Sequence, residues 1–226
     1  MTETVLYSAP GTCARVAAIV LEEIGLPFES RLVRFRKGEH KSGKYRRLNP
    51  TGKVPALLID GVTLTENVAI IQYLARRFPA ARVMPEGRSA VEQAHQTADL
   101  CFCSATLHPI VSRIRIPHFV AGPDCAKAVW TASCEAMHEY LELVENRLAD
   151  RSWWYGDEWS AMDAYLYWVL WRIEGANFPI GGFPRYEDHA TRMVQRPAVQ
   201  RALQREAAMA EQLEREGLTW TPPPLE

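Results

Sequence analysis

A cysteine near the N-terminus has a sequence context that suits a reactive thiol. Cys13 follows Pro10 and Gly11, which end a short strand pattern, and precedes apolar residues at helical spacing up to Ile24. We therefore expect Cys13 in the first turn of a helix, where unpaired N–H groups and the helix dipole favour a thiolate. A buried cysteine that only packs fits the same position. Because Pro10 stands three residues before it, no Cys-x-x-Cys pair exists and dithiol redox chemistry is not expected.

A second motif combines proline with backbone that could pair with an extended ligand. Residues 49–57 read Asn-Pro-Thr-Gly-Lys-Val-Pro-Ala-Leu, and Pro55 is unusual at the start of a strand because proline cannot donate to the ladder. A cis Val54–Pro55 bond would leave the N–H and C=O of Val54 free to pair with an extended peptide. An ordinary edge strand is the alternative.

A third motif, Thr65-Glu66-Asn67, stands at the start of a predicted helix. The N-terminus of a helix binds carboxylates well, and Glu66 beside it could hold an ammonium group. A plain helix cap with an acidic first turn explains the same residues. Taken alone, this motif does not decide between a ligand site and a cap.

The elements that must position these motifs lie in the first 80 residues. Strand patterns at 4–8, 28–35 and 54–59 and one beginning at Thr63 alternate with helical patterns at 13–24 and 68–74. A basic and polar stretch at 38–49 is predicted to be a loop or a frayed helix. The order strand, helix, strand, loop, strand, strand, helix predicts a small domain with one parallel crossover and one hairpin.

The second half of the chain shows helical periodicity only. The helical patterns cover residues 89–116, 124–149, 162–174 and 186–214. Ser160 and Asp163 form a capping box before the third of them. We therefore predict a first domain at 1–80, a linker at 81–88 and an all-helical domain at 89–226.

The composition restricts the kinds of partner. With 26 Lys and Arg against 27 Asp and Glu among 226 residues, the formal charge is −1, which argues against a general nucleic-acid or anionic-membrane binder. No apolar run approaches the ~18–20 residues of a membrane-spanning helix, and the first residues predict no signal peptide. The five cysteines do not suggest a disulfide framework. We expect a cytoplasmic globular protein.

Taken together, the motifs resemble those of a known family. Residues 49–57 and 64–74 resemble the glutathione-binding half of cytosolic glutathione S-transferases, residues 156–166 that family's helical N-capping signature, and residues 196–203 its late-helix segment. The resemblance runs from Val5 to about Leu203. It implies a thioredoxin-like N-terminal domain of the α+β type, followed by an all-α helical-bundle domain. Pro-Gly-Thr-Cys13 is most similar to the bacterial beta class, which has its cysteine in a Pro-Gly-x-Cys motif.

The resemblance implies a role for the matching residues of the first half. Cys13 would face the glutathione sulfur, Val54 would pair with the cysteinyl backbone beside a cis Pro55, and Glu66 and Asn67 would hold the γ-glutamyl end. The full set expected to bind glutathione is Lys37, Lys53, Val54, Pro55, Glu66 and Asn67. Ser8 and Thr12 stay open as the hydroxyl that contacts the sulfur, because other classes use a serine or tyrosine near this point.

The resemblance also implies that the second half of the chain contributes a histidine beside the sulfur and the apolar side chains of a pocket for the second substrate. Thr106-Leu107-His108 matches the place where the beta class carries a site histidine, so His108 would lie beside the sulfur. The pocket for the second substrate is expected from Ile110, Ile114, Phe119, Tyr165 and Trp168. Three positions depart from the family pattern: Asn67 replaces a common serine, Cys101 a common asparagine and Pro109 a common lysine.

The function that the resemblance implies is glutathione transfer, in which bound glutathione thiolate attacks a hydrophobic electrophile during detoxification. Glutathione would be the co-substrate, the protein a homodimer, and no metal, nucleic acid or membrane is expected as a partner. The spacing of Cys101 and Cys103 lies outside the usual zinc patterns. The alternatives are a specialised glutathione-dependent dehalogenase, isomerase, ether-cleaving lyase or thiol-disulfide reductase, and a non-catalytic binding or regulatory protein with the same fold.

Overall fold

The computed structural model describes residues 3–225 in two units. The first unit extends to Met84 and also contains Val194–Trp220, whereas the second begins at Pro85, runs to Met193 and includes the last residues from Thr221. Residues 1, 2 and 226, which fall at the ends of the predicted ranges 1–80 and 89–226, lie outside the described residues. The predicted ranges differ from this grouping chiefly in the place they give to the last helix.

A four-stranded sheet forms the centre of the first unit. Its strands are β1 Val5–Ser8, β2 Glu29–Leu32, β3 Ala56–Ile59 and β4 Val62–Thr65, in the order β2-β1-β3-β4. β1 pairs parallel with β2 and antiparallel with β3, and β3 and β4 form a hairpin. The predicted crossover and hairpin are confirmed, as is the thioredoxin-like type of this unit.

Helices account for most of the remaining structure. Among the described residues the α-helices are α1 Ala14–Ile24, α2 Gly43–Arg46, α3 Asn67–Arg77, α4 Ala90–Cys101, α5 His108–Arg115, α6 Pro117–Ala121, α7 Ala126–Arg147, α8 Ala161–Glu174, α9 Pro184–Gln195 and α10 Pro197–Arg215. A π-helical turn, Phe102–Leu107, joins α4 to α5. Within residues 3–225, none of the helices has the length and apolarity needed to cross a membrane.

The predicted helical stretch at 186–214 is two helices. α9 ends at Gln195 and α10 begins at Pro197, after the extended residue Arg196. Proline has no N–H to continue the first helix, but its fixed φ suits the first position of the next. The apolar spacing is similar on both sides of the break, so periodicity alone did not reveal it.

The α10 helix packs against α1 within the first unit. Glu22 accepts hydrogen bonds from Arg201 at 2.6 Å and from Arg205 at 2.5 Å, and Glu23 accepts one from Arg196 at 2.7 Å. Burial opposes ionisation of Glu22, but the two guanidinium groups lower the pKa of its carboxyl. Charge complementarity along α1 therefore fixes where the last helix lies, which helical periodicity does not encode.

The second unit is built around α8, most of whose side chains are buried. Its start carries the predicted capping box: the Asp163 carboxylate accepts hydrogen bonds from the N–H and hydroxyl of Ser160, both at 2.9 Å. The same carboxylate accepts from the Trp154 N–H at 2.8 Å and from His189 Nε2 at 2.9 Å. A local helix cap thus also ties α8 to a loop and to α9.

Candidate functional site

The turn between β1 and α1 carries three of the predicted catalytic residues. The Ser8 hydroxyl is buried and donates to Met209 Sδ at 3.4 Å, and the Thr12 hydroxyl donates to the Ala9 carbonyl at 2.7 Å. Gly11 has a φ of 73°, a conformation that costs glycine nothing. The Thr12 hydroxyl therefore holds the turn itself, the Ser8 hydroxyl contacts the last helix, and the thiol of Cys13 is the third group.

Cys13 lies immediately before α1 and is 8% exposed. Its thiol donates a weak hydrogen bond to the Val54 carbonyl, with 3.8 Å between Sγ and O. Burial, followed by the negative charge of Glu66, raises the pKa of Cys13 to about 12, although nearby N–H groups and Lys53 act in the opposite direction. Burial of Cys13 therefore opposes the thiolate that a helix start favours.

The loop before Val54 is organised by side chains that bond to its backbone. The Asn49 carboxamide accepts from the Thr51 N–H and hydroxyl at 3.1 and 2.8 Å, and its Nδ2 donates to the Lys53 carbonyl at 2.8 Å. The Tyr45 hydroxyl donates to the same carbonyl at 2.7 Å. Gly52 has a φ of 66°, and a Cβ there would lie 2.8 Å from the His40 carbonyl oxygen. These contacts hold Lys53 and leave Val54 at the edge of the loop.

The predicted cis peptide bond between Val54 and Pro55 is confirmed. Pro55 is buried and directly precedes β3, whereas Val54 is half-buried and lies outside the strand. The Val54 carbonyl accepts from the Cys13 thiol, but its N–H has no hydrogen-bond partner within residues 3–225. The backbone of Val54 therefore offers a donor and a weakly occupied acceptor, as an extended ligand requires.

Glu66 and Asn67 stand at the start of α3. Glu66 is exposed and has a φ of 67°, a conformation that non-glycine residues seldom adopt. Asn67 is 3% exposed, and its Nδ2 donates to the Cys13 carbonyl at 2.9 Å. Its Oδ1 is buried without a hydrogen-bond partner in the described structure. One end of the Asn67 carboxamide thus holds the residue at the start of α1, and the other end is open.

The structure therefore brings together most of the predicted glutathione-binding residues. Cys13 contacts both Val54 and Asn67, and the charges of Glu66 and Lys53 are near enough to change its pKa. The exposed Lys53 side chain completes this group of residues.

Lys37 has a different environment. Its Nζ lies 3.0 Å from a Glu216 carboxylate oxygen, and Arg34 forms two further hydrogen bonds of 2.7 Å to the same carboxylate. Arg34 first and then Lys37 lower the pKa of Glu216 to about 2. Lys37 is thus paired with the segment after α10, where no sequence pattern suggested a partner.

In the second unit, His108 belongs to an aromatic cluster. It is the first residue of α5, after the π-helical turn, and its Nδ1 lies 3.3 Å from the Tyr165 hydroxyl. The His108 ring also packs edge-on against Trp168 at 4.7 Å between ring centroids. Tyr165 and Trp168 are almost fully buried on α8. The structure thus joins three of the residues predicted for catalysis or for the second substrate.

The remaining predicted pocket residues differ from one another in exposure. Ile110 and Ile114 are buried on α5, whereas Phe119 on α6 is 72% exposed. Across residues 3–225, no group of three or more His, Cys, Asp or Glu side chains is placed to hold a metal ion.

Glu206 is a residue near this site that the sequence did not single out. It lies on α10, and its carboxylate accepts a hydrogen bond from the Gly11 N–H at 2.7 Å. The only signal in the sequence was a glutamate on a predicted helix, which does not reveal a partner so distant along the chain.

The chain is similar to known proteins in both sequence and fold. Models of the glutathione S-transferase N-terminal and C-terminal domains match residues 11–77 and 127–205. The chain is 33% identical over 205 residues to glutathione S-transferase GST-4.5 of Xanthomonas campestris pv. campestris, which covers 89% of this chain and 98% of the relative.

Two solved structures extend the likeness to the fold. A sphingomonad glutathione S-transferase complexed with glutathione is 31% identical with a TM-score of 0.77, covering 90% of this chain and 98% of that one. A bacterial beta class glutathione S-transferase from Sphingomonas chungbukensis is 29% identical with a TM-score of 0.78, covering 89% and 98%. These matches confirm the family that the motifs indicated. The chain belongs to the glutathione S-transferase family, and its structural neighbours include members of the bacterial beta class.

Proposed function

We propose that the protein is a glutathione transferase whose first unit binds glutathione along Val54 and whose Cys13 acts as a neutral hydrogen-bond donor. The observation that carries the proposal is the free N–H of Val54 next to the Cys13 thiol and the open end of Asn67. The glutathione complex of a sphingomonad relative with the same fold supports it.

Recognition of the tripeptide follows from the groups around Val54. The Val54 N–H and C=O pair with the backbone of the cysteinyl residue beside Pro55. The carboxylate of Glu66 attracts the γ-glutamyl ammonium group, while Asn67 and the first N–H groups of α3 receive the γ-glutamyl carboxylate. Lys53 attracts the remaining carboxylate, and Lys37 does so only after releasing Glu216.

Binding also changes the partner of Cys13. The cysteinyl N–H of glutathione replaces the Cys13 thiol on the Val54 carbonyl, and the thiol is then free to donate to the glutathione sulfur. Because its pKa is raised to about 12, Cys13 stays protonated at neutral pH and stabilises the glutathione thiolate by a hydrogen bond. The same protonation disfavours Cys13 as a nucleophile and favours transfer over disulfide exchange.

In the transfer step, the glutathione thiol loses its proton to solvent and the thiolate attacks an electrophilic carbon. The new C–S bond forms as the bond to the leaving group breaks, and the leaving group departs with the electron pair. We propose that His108, Tyr165 and Trp168, together with Ile110, Ile114 and Phe119, provide the contacts for a hydrophobic electrophile. Family membership supports a cytoplasmic homodimer, and light scattering of the purified protein tests the dimer.

The test is calorimetric titration of glutathione into the Glu66→Ala variant. Loss of the charged contact is expected to weaken binding by at least tenfold, on the order of one charge-assisted hydrogen bond. The Glu86→Ala variant, which removes an exposed carboxylate outside the site, is the matched control. The control ligand N-acetyl-Cys-Gly keeps the cysteinyl amide N–H but lacks the γ-glutamyl ammonium and carboxylate groups, so it is expected to bind wild type and Glu66→Ala equally. An unchanged glutathione affinity in Glu66→Ala would contradict the proposed site.

A further inference from the structure

One carboxylate from the last helix holds the chain on both sides of Cys13. Glu206 Oε1 accepts from the Gly11 N–H at 2.7 Å and from Arg15 Nη2 at 2.7 Å, and its Oε2 accepts from Arg15 Nε at 2.8 Å. The Arg15 side chain is 3% exposed and that of Glu206 is 14% exposed. A two-pronged pair of this kind fixes direction as well as distance.

The hydrogen bonds within the turn between β1 and α1 do not fix the position of this turn relative to the rest of the unit. Thr12 bonds back to Ala9 through both its N–H and its hydroxyl, which closes the turn without anchoring it to another element. Gly11, with its positive φ, adds a flexible residue two positions before Cys13. Besides the weak contact of Ser8 with Met209 Sδ, the charged contact of Glu206 with Gly11 and Arg15 anchors this turn to α10.

The docking of α10 on α1 has separate contacts farther along both helices. Glu22 and Glu23 near the end of α1 bind Arg196, Arg201 and Arg205. Removing the charge of Glu206 therefore leaves these pairs in place. Mutation can therefore remove the contact of Glu206 with the turn without removing the contacts that dock α10 on α1.

We propose that Glu206 and Arg15 are positioning residues that fix the turn so that the Cys13 thiol points at the sulfur of bound glutathione. The inference rests on the proposed function and adds the C-terminal helix to the machinery of its sulfur subsite. Neither residue touches glutathione, since each acts through the turn.

Because Glu206 and Arg15 position Cys13 while other residues bind glutathione, their substitution is expected to change kcat more than KM. Glutathione is held by Val54, Glu66 and Asn67, none of which contacts Glu206, so the KM for glutathione stays within about twofold. Displacement of a catalytic group by about 1 Å can cost up to about 100-fold in rate, and we expect kcat of Glu206→Gln to fall by about tenfold. A residue that only stabilised the fold would not separate kcat from KM in this way.

Glu22→Gln is the matched control. Glu22 is a carboxylate of similar burial that also pairs with arginine between α1 and α10, but it lies at the end of α1 opposite Cys13. Arg15→Lys, which keeps the positive charge but removes the fork, is the second variant. Arg15→Lys is expected to lower kcat by a smaller factor than Glu206→Gln and to leave the KM for glutathione nearly unchanged.

A second readout needs no catalysis. The rate of alkylation of Cys13 by iodoacetamide is measured by mass spectrometry of the Cys13 peptide between pH 7 and pH 11. In wild type the buried thiol is expected to react slowly and still to accelerate at the upper end of this range. A displaced turn exposes the thiol, so Glu206→Gln is expected to react at least fivefold faster at pH 8, whereas Glu22→Gln stays within twofold of wild type.

The two readouts separate the possible failures. Equal changes in Glu206→Gln and Glu22→Gln, or no change in either, overturn the positioning role, and the same comparison for Arg15→Lys decides the question if Glu206→Gln does not fold. If wild type neither binds glutathione nor transfers it to an aryl halide, the proposed function fails. The alkylation rates still decide whether Glu206 positions Cys13.

Discussion

Asn67 in the first unit and Asp163 in the second are both buried polar side chains at the start of a helix, and both hold a neighbouring segment of chain. The carboxylate of Asp163 accepts four hydrogen bonds, from Trp154, from Ser160 twice and from His189. Asn67 donates to Cys13, but its Oδ1 and the nearby Val54 N–H lack partners in the described structure.

We interpret this difference as that between a network that stabilises the fold and one that is proposed to bind glutathione. An unsatisfied buried polar group costs free energy, and in the proposed complex glutathione supplies the partner that Asn67 Oδ1 lacks. The carboxylate of Asp163, in contrast, has all four of its partners within the chain itself. We therefore expect mutations at Asp163 to act on stability and mutations at Asn67 to act mainly on binding.

The largest effect is expected for Asp163→Ala. The change leaves buried donors on Trp154, Ser160 and His189 without an acceptor and removes the helix cap, so the free energy of unfolding should fall by about 3 kcal/mol or more. Urea denaturation followed by circular dichroism measures it. Asp157→Ala, at an exposed position of the same loop, should stay within about 0.5 kcal/mol of wild type. A similar small change at Asp163 would remove the contrast between the networks.

An intermediate effect, of the opposite kind, is expected for Asn67→Ala. Loss of the carboxamide should weaken glutathione binding about tenfold or more, while the lost bond to Cys13 lowers the free energy of unfolding by only about 1 kcal/mol. Calorimetric titration and urea denaturation of the same preparation measure the two quantities. Arg76→Ala, at the exposed end of α3, is the control for the helix. A variant that lost stability but kept its affinity would show that Asn67 serves only the fold.

The smallest effect is expected for the substitution of two glycines, one in the loop before Val54 and one in the β3–β4 hairpin. Gly52→Ala places a Cβ against the His40 carbonyl at 2.8 Å, whereas Gly61→Ala, with a φ of 80°, meets nothing within 4 Å. Both substitutions carry the left-handed conformation cost of about 1 kcal/mol. Gly52→Ala should lose about 1 kcal/mol more in thermal unfolding and should also weaken glutathione binding, since the loop leads to Val54. Equal losses in both variants would show that the loop adapts to the added methyl group.

Much of the fold was predictable because its signals are local. The capping box joins Ser160 to Asp163 within one helical turn, and Gly25, with a φ of 73°, ends α1 where the sequence places a glycine. The resemblance of residues 49–57 to the family implied the cis bond that the structure contains. Each of these signals depends on residues within a few positions of one another.

The environment of Cys13 was not predictable in the same way. Its position before α1 was visible in the sequence, but its high pKa comes from burial and from Glu66, which a distant helix brings near. Glu206 and Met209 reach the same turn from α10. The spacing of residues in the sequence predicts which helix carries a side chain, but it does not predict which distant residue that side chain contacts.

The amino-acid sequence was enough to predict the order of strands and helices, the family and most of the residues that are proposed to face glutathione. Three contacts became visible only in the folded chain: the last helix packs on α1, Lys37 pairs with Glu216, and Asp163 also binds His189. The physical reason is the range of the interactions. Backbone preference and helix capping act over a few residues, whereas desolvation and ion pairing depend on what the fold places next to a group.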